Sequence, residues 1–314
     1  MKSNALLPSL ILGLIAVSMA GAAEPFALRD GDRVVLVGST LIEREQRYGY
    51  WETALTRRYP DKSIIFRNLG WSGDTVFGDA RAGFGTQADG YRQLKDHVLA
   101  LKPTVIFIGY GTNESFEGKK GLPRFVKGLE TLLDSFAPTQ ARIVLLSPLK
   151  QENLGPPLPD PTENNKNLRL YSDAIRDVAK KRGHRFVDLY DLLSQEKKPL
   201  TDNGIHLTSD GYMRSAVVLQ KALGCPNALD FGATGDQKRI EKLRQAIVAK
   251  NRLYFYRWRP ENETYLFGFR KHEQGQNARE IPQFDPLIAE KEKEIAELRV
   301  SAARTPEPKA EKKP

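Results

Sequence analysis

Between residues 32 and 224 the chain alternates short apolar runs with longer segments of helical periodicity. The apolar runs are "RVVLV" (33–37), "SIIFRN" (63–68), "TVIFIGY" (104–110), "RIVLLS" (142–147) and "RFVDL" (185–189). They are continuous rather than alternating, which predicts strands buried on both faces. Between them, "YWETALTRRYP", "GYRQLKDHVLALKP", "LPRFVKGLETLLDSFAP" and "NKNLRLYSDAIRDVAKKRG" repeat apolar positions at helical spacing and stop at a proline or glycine. Strands joined by helices of this length make right-handed parallel crossovers. The pattern predicts a three-layer α/β/α sandwich on about five parallel strands, spanning residues 24–224.

The pattern changes after residue 224. "GDQKRIEKLRQAIVAKNRLYFYRW" reads as a helix running into an aromatic and basic stretch, and "PLIAEKEKEIAELRV" as a charged helix solvated on most of its surface. Residues 225–300 therefore form a helical, aromatic extension, read first as an arm packed on the sandwich and second as a docking module. Residues 301–314, rich in Pro and Lys, read as a disordered tail.

The first 23 residues carry Lys2, a long apolar run and small residues with Ala20 and Ala22 at signal-peptidase spacing. They read as a signal peptide cleaved after Ala22 or Ala23, so the expected protein is exported, periplasmic or secreted, with no transmembrane anchor after cleavage. Cys225 is the only cysteine, which excludes an internal disulfide and reads as a buried thiol. The net charge of +9 comes from 48 basic and 39 acidic residues scattered along the chain, which argues against a nucleic-acid groove.

In a parallel sheet, ligands bind beyond the carboxyl ends of the strands. The segments found there are "GSTLIE" after the first strand, "NLGWSGDT" (68–75) after the second, "GYGTNESFEG" (109–118) after the third and "LTDNGIHLTSDGY" (200–212) after the fifth. All four are rich in Gly and polar groups and should open on one edge. Of the four histidines only His206 lies in such a turn; His97, His184 and His272 read as packing or surface residues. His206 is the candidate base, since an imidazole can take a hydroxyl proton and return it to a leaving alcohol. Such a base needs a partner to fix its tautomer. Asp202 is the first candidate, with Asn203 as the uncharged alternative. Oxyanion donors would be the Gly70 backbone N–H and the Asn113 amide. Glu43 and Glu45 read as capping or salt-bridging groups for the helix that follows the first turn.

These turns resemble the blocks of the SGNH hydrolases, the GDSL esterase and lipase family, over roughly residues 32–224. More narrowly they resemble a branch of exported SGNH-like domains of planctomycete-type bacteria. The resemblance implies a flavodoxin-like fold and hydrolysis of an acyl ester through an acyl-enzyme, with no metal and no cofactor. Export together with the resemblance points to a small acyl ester, such as an acetyl group on a carbohydrate. The family's Gly-Asp-Ser turn falls on Gly38-Ser39-Thr40. Register favours Thr40 as nucleophile, although its β-methyl crowds the attack. Ser39 has the less hindered hydroxyl but is offset by one residue. If neither attacks, the domain is a weakened or inactive relative that binds a glycan or acylated ligand. The family's acid stands three residues before its histidine, which here is Asn203, so Asp202 serves only if the turn carries an extra residue.

Overall fold

The computed structural model describes residues 25–195, 198–225, 227–228, 231 and 237–303. The expected signal peptide lies outside them, as do residues 304–314 of the expected tail. Five strands form one parallel sheet in the order β2-β1-β3-β4-β5. They are β1 (Arg33–Gly38), β2 (Ile65–Asn68), β3 (Val105–Gly109), β4 (Arg142–Leu146) and β5 (Arg185–Val187). All four pairings are parallel, with Leu36 opposite both Asn68 and Phe107. Every residue of β3 is buried, as continuous apolar runs require of a strand covered on both faces.

The helices are α1 (Thr40–Tyr48), α2 (Tyr50–Arg58), α3 (Gln87–Ala100), α4 (Gly118–Phe136), α5 (Thr162–Arg182) and α6 (Ser209–Ala222). One face of the sheet packs Val34, Leu36 and Phe107 with Trp51 of α2 and Tyr212 of α6. The other packs Val35, Ile106 and Ile108 with Leu94 of α3, Phe125 of α4 and Ile175 of α5. The three-layer sandwich follows directly. A helix forms directly after the first turn, so Glu43 and Glu45 lie inside α1, both buried, and Glu45 Oε1 accepts from the Trp51 N–H of α2 at 2.7 Å. Gly49, at φ +68°, ends α1 and opens α2.

The C-terminal extension contains α7 (Gln237–Trp258), α8 (Glu263–Leu266), α9 (Lys271–Gln274) and α10 (Phe284–Ala303). The aromatic stretch completes α7 rather than following it, and α10 runs three residues into the expected tail. α7 packs on α1, α2 and β2, and α10 on α7 and α2. Lys250 of α7, fully buried, places Nζ 2.7 and 2.8 Å from the Glu52 carboxylate oxygens of α2 and 3.1 Å from the Phe66 carbonyl of β2. The extension thus covers the edge strand, where free backbone groups would otherwise face solvent.

Candidate active site

The strand order reverses between β1 and β3, and a crevice opens there beyond their carboxyl ends. It encloses about 140 Å³. Ser39, Thr40, Asn113 and His206 all line it, so three of the four expected turns converge. Ser39 is the N-cap of α1 and is 3% exposed; its side chain makes no cap hydrogen bond. Thr40, half-buried, opens the helix. The crevice walls are Leu41, Leu149, Leu207 and Tyr212, and Phe116 stands at its mouth, 64% exposed.

The second turn meets the first beside the crevice, but not through Gly70. The Gly70 N–H donates to Asn68 Oδ1 at 2.8 Å, and a Cβ at Gly70 would lie 2.2 Å from the Glu43 nitrogen. Gly70 is therefore a close-packing glycine beneath α1, with its N–H already committed. The donor that points to the nucleophile turn is Gly73, whose N–H lies 3.3 Å from Thr40 Oγ1. Gly73 has φ +78° and open space where a Cβ would be. The "SGD" turn signal was present in the sequence, but nothing there distinguished the two glycines. Asn113 donates one amide hydrogen to the Asp74 carbonyl at 2.7 Å. Its amide group has a second hydrogen.

The loop carrying His206 is closed by the Thr201–Leu207 bridge and by the Asp202 N–H donating to the His206 carbonyl at 2.9 Å. Glu152 pins it from the β4 side, accepting from the Leu200 and Thr201 N–H groups at 3.0 and 2.9 Å. At the loop tip Asn203 makes an Asx-type turn: its Oδ1 accepts from the Ile205 N–H at 3.1 Å and the His206 N–H at 2.9 Å. This geometry brings Asn203 Nδ2 to 3.1 Å from His206 Nδ1. Asp202 is not the ring's partner. It points outward, 47% exposed, and pairs with Arg44 of α1 at 2.7 Å. The loop holds no extra residue that would swing it back.

Residues 32–214 match the sequence profile of the GDSL-like lipase/acylhydrolase family, more than half of the chain. The chain belongs to that family. As a GDSL-like acylhydrolase it is an ester-hydrolysing enzyme. Two solved structures share its fold. One is LAE5, an alpha/beta hydrolase from the metagenome of Lake Arreo, Spain, at 23% identity and a TM-score of 0.51, with 64% of this chain and 99% of that chain covered. The other is Axe2, an acetylxylan esterase from Geobacillus stearothermophilus, at 18% identity and a TM-score of 0.50, covering 64% and 96%. No curated protein matches the chain in sequence.

The charge state of this GDSL-like crevice follows from its partners. Asn203 Oδ1 is occupied by two backbone N–H groups, so its NH₂ must face the ring. Nδ1 of His206 is then the acceptor, and the neutral ring carries its hydrogen on Nε2. Burial, and then the Arg44 cation, hold the ring pKa below its ordinary value, against a weaker pull from Asp202. The resting imidazole is therefore neutral near pH 7. Glu114, the carboxylate beside Asn113, is occupied structurally: it accepts from the Val76 and Gly111 N–H groups, both at 2.9 Å, and so ties the second turn to the third. Among the described residues no cluster of three or more His, Cys, Asp or Glu side chains is placed to hold a metal ion.

Proposed function

We propose that this protein is an exported esterase that removes a small acyl group, an acetyl ester on a carbohydrate, with Thr40 as nucleophile. The observation that carries the reading is the convergence of Thr40, His206 and Asn113 on one crevice of about 140 Å³, with the Gly73 N–H against the Thr40 hydroxyl. Leu41, Leu149 and Leu207 leave room for a short acyl chain. Phe116 offers an exposed aromatic face at the mouth, suited to a sugar ring. The acetylxylan esterase Axe2 has the same fold. Export is supported by the signal-like pattern of residues 1–23.

In the acylation step Thr40 Oγ1 bonds to the acyl carbon and its proton passes to His206 Nε2. The tetrahedral oxyanion is met by the Gly73 N–H, the second Asn113 amide hydrogen and the unpaired N–H groups of the first turn of α1. Collapse breaks the bond to the sugar oxygen, which leaves with the proton from Nε2. Water then attacks the acyl-threonine in the same way and releases the acid. Proton uptake requires the ring with hydrogen on Nδ1 and a bare Nε2. That tautomer forfeits the Asn203 hydrogen bond, at about 1 kcal/mol.

The pinned amide of Asn203 favours a second reading, a domain that holds its ester and turns it over slowly. Aryl acetate turnover and fluorophosphonate labelling, followed by peptide mass spectrometry, separate the two. Turnover and labelling at Thr40, both lost in Thr40→Ala and His206→Ala and kept in Ser39→Ala, support the esterase. Labelling at Ser39 overturns Thr40 as nucleophile, and neither turnover nor labelling leaves the binding reading.

A further inference from the structure

The turn carrying Gly73 is held at its two ends by different parts of the chain. At Asp74 the anchors come from within the family match: Arg81 Nε and the Tyr110 hydroxyl both donate to Asp74 Oδ2, at 2.7 and 2.8 Å. At Ser72 the anchor is Glu43, whose carboxylate accepts from the Ser72 N–H at 2.7 Å and from the Ser72 hydroxyl at 3.0 Å. The counter-charge of Glu43 is Arg259, whose Nη1 lies 2.9 Å away and which lies 45 residues beyond the end of the family match at 214. The same guanidinium sits 3.6 Å from the centroid of the Trp71 ring, and Trp71 meets Trp258 edge-to-face at 5.8 Å. The Glu43 side chain is 9% exposed, and a carboxylate so placed is costly to leave without a partner. Gly73 lies between the two anchored ends with nothing within 4 Å of where a Cβ would be.

We infer that Arg259 is a positioning residue for the Gly73 turn, so that the C-terminal extension completes the active site from outside the family domain. The guanidinium neutralises Glu43 and stacks on Trp71, and these two contacts fix the Ser72–Gly73 peptide against Thr40. Without Arg259 a nearly buried carboxylate loses its counter-charge, and the turn gains freedom at the end next to Gly73. An oxyanion donor acts in the transition state, so its displacement lowers kcat more than it changes KM. The kinetic consequence rests on the proposed esterase reading; the structural latch does not.

Hydrogen exchange on the full chain tests the latch without any activity. Arg259→Ala is expected to speed exchange at Ser72 and Gly73 roughly tenfold or more while β1 and β3 keep their protection. Arg259→Lys, which keeps the charge but not the planar stack, should fall between. Arg257→Ala serves as the control: it breaks a pair between the last turn of α7 and Asp285 of α10, at 2.8 Å, away from the Gly73 turn. Against an aryl acetate, Arg259→Ala should lower kcat roughly 10- to 100-fold with KM nearly unchanged. Unchanged exchange at Ser72 and Gly73, or equal acceleration in Arg257→Ala, overturns the inference. If the wild type hydrolyses no ester but exchange responds as expected, the latch stands and the esterase reading fails.

Discussion

At the scale of residues, the chemistry turns on which atom of a side chain faces which neighbour. Asn203 is the instructive case. Replacing it with Asp keeps the turn, since one carboxylate oxygen can still accept from the Ile205 and His206 N–H groups. The other oxygen then accepts from Nδ1–H, which bares Nε2 and stabilises the imidazolium. Asn203→Asp should therefore raise kcat/KM on an aryl acetate by roughly tenfold or more. The added negative charge also opposes the burial and the Arg44 charge that depress the ring pKa. Since the base works only when neutral, the acid limb of the pH–kcat/KM profile should move to higher pH. A rate that is unchanged or lower would show that His206 is not the base. Much of this site was legible in sequence: Ser39, Thr40, Asn113 and His206 each follow a strand, and strand ends on one edge must meet. Asp202, the first candidate, pairs with Arg44 while the alternative Asn203 lies against the ring, and the Gly70 N–H is committed to Asn68, because loop register is set by distant groups. Glu152 and the Thr201–Leu207 bridge decide which side chain lies under the ring, and α1 packing decides which glycine stays free.

At the scale of elements, the strands and most helices could be read from periodicity, because continuous burial leaves a continuous apolar run. What periodicity did not reveal was how the extension attaches. Lys250 looks like one charge among many in a basic helix, yet it is fully buried against Glu52. Burial pushes the Glu52 carboxyl upward, and the Lys250 charge is the main force drawing it back. Lys250→Met would leave a buried carboxylate alone, costing about 3–5 kcal/mol. The thermal midpoint should drop, and the double variant Lys250→Met with Glu52→Gln should recover most of it. The deficit also has a pH signature. An unpaired Glu52 takes up a proton readily as pH falls and becomes neutral, while the wild type loses its ion pair, so the two melting curves should converge toward acid. A constant gap across pH would mean that packing volume, not charge, sets the effect.

At the scale of the whole molecule, the family match and the folding unit have different limits. The match ends at residue 214, but the edge of the sheet it describes is finished by residues beyond 237. α7 covers the Phe66 carbonyl of edge strand β2, and Arg244 donates to the Tyr48 carbonyl at the end of α1, at 2.6 Å. Tyr254 and Ile288 join the apolar cluster on one face of the sheet, and Arg259 fastens the Gly73 turn. A chain ending at Gly224 keeps every strand, every candidate catalytic residue and the entire family match. It nonetheless exposes an edge strand, strands Glu52 without its cation and opens an apolar face. Expressed this way, it should be recovered mainly as aggregate, and its soluble fraction should elute as oligomers in size-exclusion chromatography. Thr40 and His206 would be present without a stable crevice around them. A monomeric truncated protein with the wild-type melting temperature and kcat would instead make the extension a separable arm, free to serve as a docking module.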